Sequence, residues 1–82
     1  MKLVVTDPEG VHLATFHKQD GSVILMGRSW MEGPARKWAK DGFSEREDLE
    51  EPVRHTPPDH PQFLERLRDF LARSFDFRLE LA

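Results

Sequence analysis

Two tight-turn signals stand close together near the start of the chain and restrict its fold more than any other feature. "DPEG" separates the strand-like run "KLVVT" from "VHLATFH", and "KQDG" separates that run from "SVILMG". Asp7, Pro8 and Gly10 suit a type I turn followed by a glycine bulge, and the second turn is expected to repeat this arrangement. Residues 1–27 are therefore predicted to form a three-stranded antiparallel meander.

The second and third strands of the meander are predicted to be covered on both faces. Strict alternation divides the second strand into a face of Val11, Leu13, Thr15 and His17 and a face of His12, Ala14 and Phe16. Both faces are partly apolar, which is typical of a central strand. The third strand is expected to be covered too, because it is apolar at four successive positions, Val23, Ile24, Leu25 and Met26.

The last part of the chain, residues 61–82, predicts one long amphipathic helix followed by a strand. The apolar residues of "DHPQFLERLRDFLARSF" recur at helical spacing and form one stripe of Phe63, Leu64, Leu67, Phe70 and Leu71. Asp59 is expected to cap the helix together with Gln62, and Pro61 is tolerated in the first turn. The closing "FDFRLELA" alternates between apolar and charged residues, which indicates a half-buried strand.

Two short helices are predicted in the irregular middle of the chain, residues 28–60. "GPARKWAKDG" has Pro34 in its first turn and Gly42 just beyond its end. "SEREDLEE" begins with a capping box formed by Ser44 and Glu47. The following "RHTPPDHP" is predicted to be an extended linker, because paired prolines hold the backbone away from helical geometry.

These elements predict a single α+β domain over residues 1–82, with the order βββ(α)αβ and the long helix packed on the sheet. The final strand extends the sheet beside either the first or the third strand, and the pattern leaves that choice open. A parallel pairing would require a right-handed crossover.

The size and composition of the chain weaken an enzyme interpretation. A chain of 82 residues needs nearly all of its large apolar side chains for one core, which leaves little room for an internal active-site cavity. The chain has no cysteine, so disulfides, thiolate metal sites and cysteine nucleophiles are excluded. No signal peptide or membrane-spanning run is recognisable, so a cytoplasmic location is expected. The lack of asparagine fits a thermophilic source, although a GC-rich genome gives a similar bias.

Charge is unevenly distributed along the chain. The net charge of −3 argues against a general nucleic-acid binder. Residues 28–40 nevertheless carry four cations against one anion, whereas residues 41–51 carry six anions against one cation. The acidic block is expected to be a solvated helix face, and docking to a basic partner is the alternative.

The candidate binding segment is "GRSWMEGPARKWAKDG", in which both tryptophans stand among cationic side chains. Its candidate partner-binding or nucleic-acid-binding residues are Arg28, Trp30, Arg36, Lys37, Trp38 and Lys40. Exposed tryptophans would stack on the bases of single-stranded nucleic acid while the cations follow the phosphates. A small core also needs the area that a tryptophan buries, and a helix would place Trp38 beside Ala35 and near Phe43. Packing is the favoured interpretation, with one tryptophan buried and the other partly exposed.

Histidine chemistry receives little support from the pattern. Alternation places His12 and His17 on opposite faces of one strand, which excludes a chelating pair there. His55, Asp59 and His60 would supply two nitrogens and a carboxylate to zinc, but their spacing matches no standard pattern. No serine lies in a nucleophile-elbow context. We therefore predict no catalytic residue, no metal and no cofactor.

The favoured function is that of a small non-enzymatic domain acting through protein–protein contact, with a homodimer as one form of that contact. The alternative is a single-stranded RNA or DNA binder that uses residues 28–40, and an enzyme based on histidine chemistry comes third. No membrane is expected to take part. The two leading functions differ measurably, because nucleic-acid binding weakens steeply with salt and apolar docking need not.

Overall fold

Antiparallel strands and two helices make up the described chain, which is an α+β fold as predicted. The computed structural model describes residues 1–27, 32–44 and 55–82. The elements are β1 (Lys2–Thr6), β2 (His12–Gln19), β3 (Ser22–Met26), α1 (Glu32–Asp41), β4 (Phe43–Ser44), β5 (His55–Thr56), α2 (Phe63–Ser74) and β6 (Arg78–Leu81). The main sheet has the order β3-β2-β1-β6, and β4 pairs with β5 in a second, two-stranded sheet.

The first turn of the meander has the predicted geometry. The Gly10 N–H donates to the Asp7 carbonyl at 3.0 Å, and Gly10 has a φ of +89°. The Asp7 carboxylate also accepts the N–H groups of Glu9 and Val11, at 2.9 and 2.8 Å. Because an aspartate that binds the backbone ahead of it fixes a turn locally, the sequence was sufficient to place this one.

The second turn is tighter than predicted. Gln19 pairs directly with Ser22, so the loop consists of Asp20 and Gly21, and both of these residues have positive φ. Positive φ at both loop positions is the geometry of a two-residue type I′ turn, which Asp-Gly favours. The expected type I turn with a bulge is therefore wrong at this site.

A bulge in β2 overturns the strict alternation predicted for that strand. The β1–β2 register slips by one residue, so that Leu13 has no partner in β1. The extra residue brings His12 onto the face of Thr15, where the His12 Nε2 and the Thr15 Oγ1 are 2.7 Å apart. His12 and His17 therefore share a face of the sheet, contrary to the prediction.

The hydrophobic core lies between one face of the main sheet and the two helices. Helix α1 packs against β3, and α2 packs against β1 and β6. The core consists of Leu3, Val5, Ala14, Phe16, Ala35, Ala39, Phe43, Phe63, Leu64, Leu67 and Leu71. The four core residues that come from the main sheet occupy a single face of it, since Leu3 pairs with Phe16 and Val5 with Ala14.

The prediction that β3 is covered on both faces is wrong. Ile24 and Met26 are 46% and 48% exposed, while Val23 and Leu25 are half-buried against the core. The cause is topological, because β3 is an edge strand and both helices pack on the inner face. The uninterrupted apolar run therefore predicts the strand correctly, but it does not show that both faces of the strand are buried.

Helix α2 begins later than predicted. Its first residue is Phe63, and Gln62 occupies the N-cap position without a side-chain hydrogen bond. Two turns precede it, closed at 3.0 Å by the His60 N–H to the Pro57 carbonyl and by the Phe63 N–H to the His60 carbonyl. Asp59 lies in the first of these turns, so it does not cap the helix. The predicted stripe is confirmed, with Phe63, Leu64, Leu67 and Leu71 buried and Phe70 half-buried.

Helix α1 confirms the short helix predicted around Pro34. It ends at Asp41, and Gly42 follows with a φ of +91°. The Gly42 N–H donates to the Trp38 carbonyl at 3.0 Å, which completes the last turn. Neither helix in the described ranges has the length and apolar character that crossing a bilayer requires.

The short pair β4–β5 replaces the start of the predicted extended linker. Phe43 lies opposite Thr56, and Ser44 lies opposite His55. Turns follow directly after β5, so the segment "RHTPPDHP" is not extended throughout. Apart from Ser44, the second predicted helix falls in residues 45–54, outside the described residues.

The final strand β6 pairs antiparallel with β1, which decides the question that the sequence leaves open. Leu81 lies opposite Leu3 and Leu79 opposite Val5, and both β6 leucines pack against the core. The charged residues that alternate with these leucines, Arg78 and Glu80, are exposed, as the alternation predicts. Because the pairing is antiparallel, no handed crossover is needed.

Candidate interaction site

The structure describes four of the six residues predicted to bind a partner. All four lie on helix α1, where Arg36, Lys37 and Lys40 are exposed and Trp38 is half-buried. The other two, Arg28 and Trp30, lie outside the described residues.

The Trp38 ring packs on the protein's own aromatic side chains. Its centroid is 5.7 Å from that of Phe70, and the two rings meet at 86°, in edge-to-face contact. Phe70 in turn stacks on Phe43, with centroids 5.4 Å apart. Such pairs contribute about 0.5–1.5 kcal/mol each beyond the area they bury. These contacts favour the packing interpretation of Trp38, because a stacked base would compete with them for the ring.

A groove of about 720 Å³ runs between β3, helix α1 and the first turn before α2. Val23 and Leu25 line it from β3, Arg36, Ala39 and Lys40 from α1, and Pro57, Pro58 and Asp59 from the turn. The surface of this lining is mostly apolar, and its described residues include two cations on the helix side and one anion on the turn side. Lys37, exposed on the same helix, does not line the groove.

The outer edge of β3 presents unpaired backbone groups beside this groove. A two-residue hairpin is closed by a hydrogen-bonded pair, and bonded and non-bonded pairs then alternate along both strands. Counted from the turn, Val23 and Leu25 fall at non-bonded positions, so their N–H and C=O groups point away from β2. Lys18 lies opposite Val23, and its N–H accordingly points away from β3 and donates to the Met1 carbonyl at 3.0 Å. Among the described residues, the outward groups of Val23 and Leu25 have no hydrogen-bond partner.

The two edges of the main sheet differ in protection. Edge strands commonly carry charges, prolines or bulges that prevent pairing with another chain. At one edge, β6 alternates leucines with exposed Arg78 and Glu80. At the other, β3 reads Ser-Val-Ile-Leu-Met and has no such feature. The uncharged "SVILM" is visible in the sequence, but its meaning depends on the strand order, so Val23 and Leu25 were not among the predicted site residues.

The zinc hypothesis for His55, Asp59 and His60 gains no support. Within the described ranges, no three histidine, aspartate or glutamate side chains are grouped so that they could hold a metal ion. The His60 Nδ1 accepts the N–H of Gln62 at 3.0 Å, and the His60 carbonyl accepts the ammonium of Lys18. These contacts fix the turn against the β2–β3 hairpin, which gives His60 a structural part.

Comparison of the chain with protein-family models, with curated proteins and with solved structures finds no match.

Proposed function

We propose that this chain is a non-enzymatic protein-interaction domain whose partner docks in the groove beside the β3 edge. The observation that carries this proposal is the uncharged edge itself, where the backbone groups of Val23 and Leu25 point away from the sheet next to aliphatic walls. Exposed sheet edges of this kind are a recurrent means of binding other proteins. Ile24 and Met26 add exposed apolar surface on the other side of the same strand.

Protein suits this surface better than nucleic acid does. None of the described residues that line the groove is aromatic, whereas binding of single strands relies on aromatic rings as stacking platforms. The Trp38 ring is already in contact with Phe70, and the net charge of the chain is −3. Single-stranded nucleic acid is the second candidate, because Arg36, Lys37 and Lys40 are all exposed on one helix.

A second copy of the chain is one partner that the proposal includes. Two β3 edges related by a two-fold axis would form one continuous sheet, and a small domain gains core area from such a dimer. Sedimentation equilibrium at widely separated protein concentrations tests this form. A mass that doubles with concentration shows that the chain forms a dimer, and a constant monomer mass rules out the homodimeric form of the proposal.

Selection of peptides from a random library displayed on phage tests the proposed function. Peptides recovered on the immobilised protein are titrated against the wild type, the Lys40→Glu variant and the Lys37→Glu variant. The two substitutions make the same charge change on the same helix, but Lys40 lines the groove and Lys37 does not. Docking in the groove predicts a change in affinity of about 3-fold or more for Lys40→Glu and of less than about 2-fold for Lys37→Glu.

Two results would contradict the proposed function. One is a selection that enriches no peptide over the bare support. The other is an affinity for mixed-sequence single-stranded oligonucleotides that falls steeply between about 50 and 200 mM salt while no peptide binds, which would favour the nucleic-acid alternative.

A further inference from the structure

We infer that the partner of this groove is an acidic, extended peptide segment that adds to β3 as a further strand of the sheet. This inference rests on the proposed function and specifies the chemistry of the partner. Three features of the described residues point to it: the direction of the free backbone groups, the nature of the two faces of β3, and the charge of the groove.

The free backbone groups of β3 have the spacing of a strand template. The N–H and C=O groups of Val23 and Leu25 point outward at every second residue, about 7 Å apart along the strand. A partner in extended conformation offers its own groups at the same interval, so each outward residue pairs with one residue of the peptide. The ladder between β2 and β3 uses Ser22, Ile24 and Met26, and it is left unchanged by such an addition.

The two faces of β3 set different requirements for the side chains of the added strand. On the open face, a peptide side chain beside Ile24 and Met26 meets exposed apolar surface and is best apolar. On the inner face, a side chain enters the groove, where its methylene groups lie against Val23 and Leu25. The segment is therefore expected to alternate between two residue types, as a strand with two different faces requires.

The charge of the groove selects acidic residues for the inner row. Among the described residues that line the groove, Lys40 is an exposed cation on the helix wall, one helical turn after Arg36, and Asp59 lies on the turn wall. A glutamate fits this geometry because its aliphatic stem covers the β3 wall while its carboxylate reaches toward the helix. A second copy of the chain fits less well, since its β3 carries no acidic side chain to offer to Lys40.

Titration with designed peptides tests the inference. The probe is a fluorescein-labelled peptide in which glutamate alternates with valine, about as long as the five residues of β3. One control peptide replaces glutamate by lysine, and another has the same composition with the glutamates and valines in separate blocks. Binding is followed by fluorescence anisotropy, and amide hydrogen exchange is followed by NMR in the same samples.

Strand addition predicts protection at two particular amides. When the Glu/Val peptide is present at about ten times its Kd, exchange at Val23 and Leu25 slows about tenfold, because it proceeds only from the free fraction. The Ile24 amide lies in the existing ladder and changes less. The lysine and block peptides bind more weakly than the alternating acidic peptide.

Two variants separate the backbone contribution from the charge contribution. Leu25→Pro removes the outward N–H without removing a ladder bond to β2, so it weakens the Glu/Val peptide by about 10-fold. Lys40→Glu turns one attraction into a repulsion and weakens binding by roughly 5- to 30-fold, whereas the control Lys37→Glu leaves it within about 2-fold. Circular dichroism and thermal unfolding verify that the Leu25→Pro variant folds. If that variant does not fold, Lys40→Glu still tests the inference, because Lys40 is exposed and its substitution leaves the core unchanged.

Each remaining outcome overturns the inference in a distinguishable way. Peptide binding without protection of Val23 and Leu25 rules out strand addition but leaves groove docking in place. Equal binding of the lysine peptide rules out the acidic specificity alone. Protection of both amides in a dimer without peptide assigns the edge to a second copy. Failure of every peptide to bind refutes the inference, and the display selection then decides whether the proposed function fails with it.

Discussion

Substitution of Gly42 by alanine is expected to destabilise the fold far more than the same change at Gly10. Both glycines have nearly the same φ, +91° and +89°, so both alanines incur the left-handed backbone cost of about 1–2 kcal/mol. Alanine also lowers the conformational entropy of the unfolded chain, which offsets about 0.4–1 kcal/mol of this cost in each case. The two sites differ in their surroundings, and the comparison therefore isolates the steric contribution.

A Cβ at Gly42 would collide with backbone, whereas one at Gly10 would meet open space. At Gly42 the nearest atoms are the Thr56 carbonyl oxygen, in direct overlap, the Pro57 Cα at 2.9 Å and the Thr56 carbonyl carbon at 3.0 Å. At Gly10 there is no atom within 4 Å. Because backbone cannot rotate away as a side chain can, β5 and the prolines after it must shift. We expect a loss of about 2–4 kcal/mol for Gly42→Ala and of about 1 kcal/mol or less for Gly10→Ala.

Urea unfolding followed by circular dichroism measures both losses. A domain of 82 residues has an unfolding free energy of about 4–12 kcal/mol, so the Gly42 variant should lose a large part of it. With an m-value of about 1 kcal/mol/M, the midpoint falls by about 2–4 M. Equal midpoints for the two variants would refute the argument that the close approach of β5 leaves no room for a Cβ at Gly42.

Two further substitutions test the core. Thr56 is fully buried, and its hydroxyl has no hydrogen-bond partner among the described residues. Thr56→Val should therefore raise the unfolding free energy by about 1 kcal/mol. A lowered urea midpoint would indicate instead that the hydroxyl is hydrogen-bonded. Leu67 is fully buried at the centre of the α2 stripe, so Leu67→Ala should cost about 2–5 kcal/mol in thermal or urea unfolding, while Arg66→Ala, on the same helix but less buried, should cost less than about 1 kcal/mol.

The features that could be predicted from the sequence are those determined by neighbouring residues. Asp7 and Gly10 specify their turn through contacts within five residues of chain. The α2 stripe and the alternation of β6 follow from helical and strand periods. The cationic side chains of the candidate site, Arg36 and Lys40, were identifiable for the same reason, since one helix displays both.

The remaining features depend on contacts between distant parts of the chain. The exposure of Ile24 follows from strand order, which no local pattern contains. The bulge at Leu13 arises from the pairing of β1 with β2, and it determines on which face of the sheet His12 lies. The late start of α2 reflects turns held by the contact between Lys18 and the His60 carbonyl, groups far apart in sequence. The sequence did not predict that Val23 and Leu25 line the groove, because their position also depends on strand order.

The pairing of β1 with β6 brings residues 2 and 82 side by side. The Lys2 N–H donates to the Ala82 carbonyl at 2.7 Å, and the Ala82 N–H donates to the Lys2 carbonyl at 2.9 Å. A short linker across this gap would allow circular permutation, with new ends opened at the exposed Asp20–Gly21 turn. The proximity of residues 2 and 82 also allows residues 2–82 to be inserted into a surface loop of a host protein. The inserted segment would begin and end at nearly the same point, so the host's own fold would be left undisturbed.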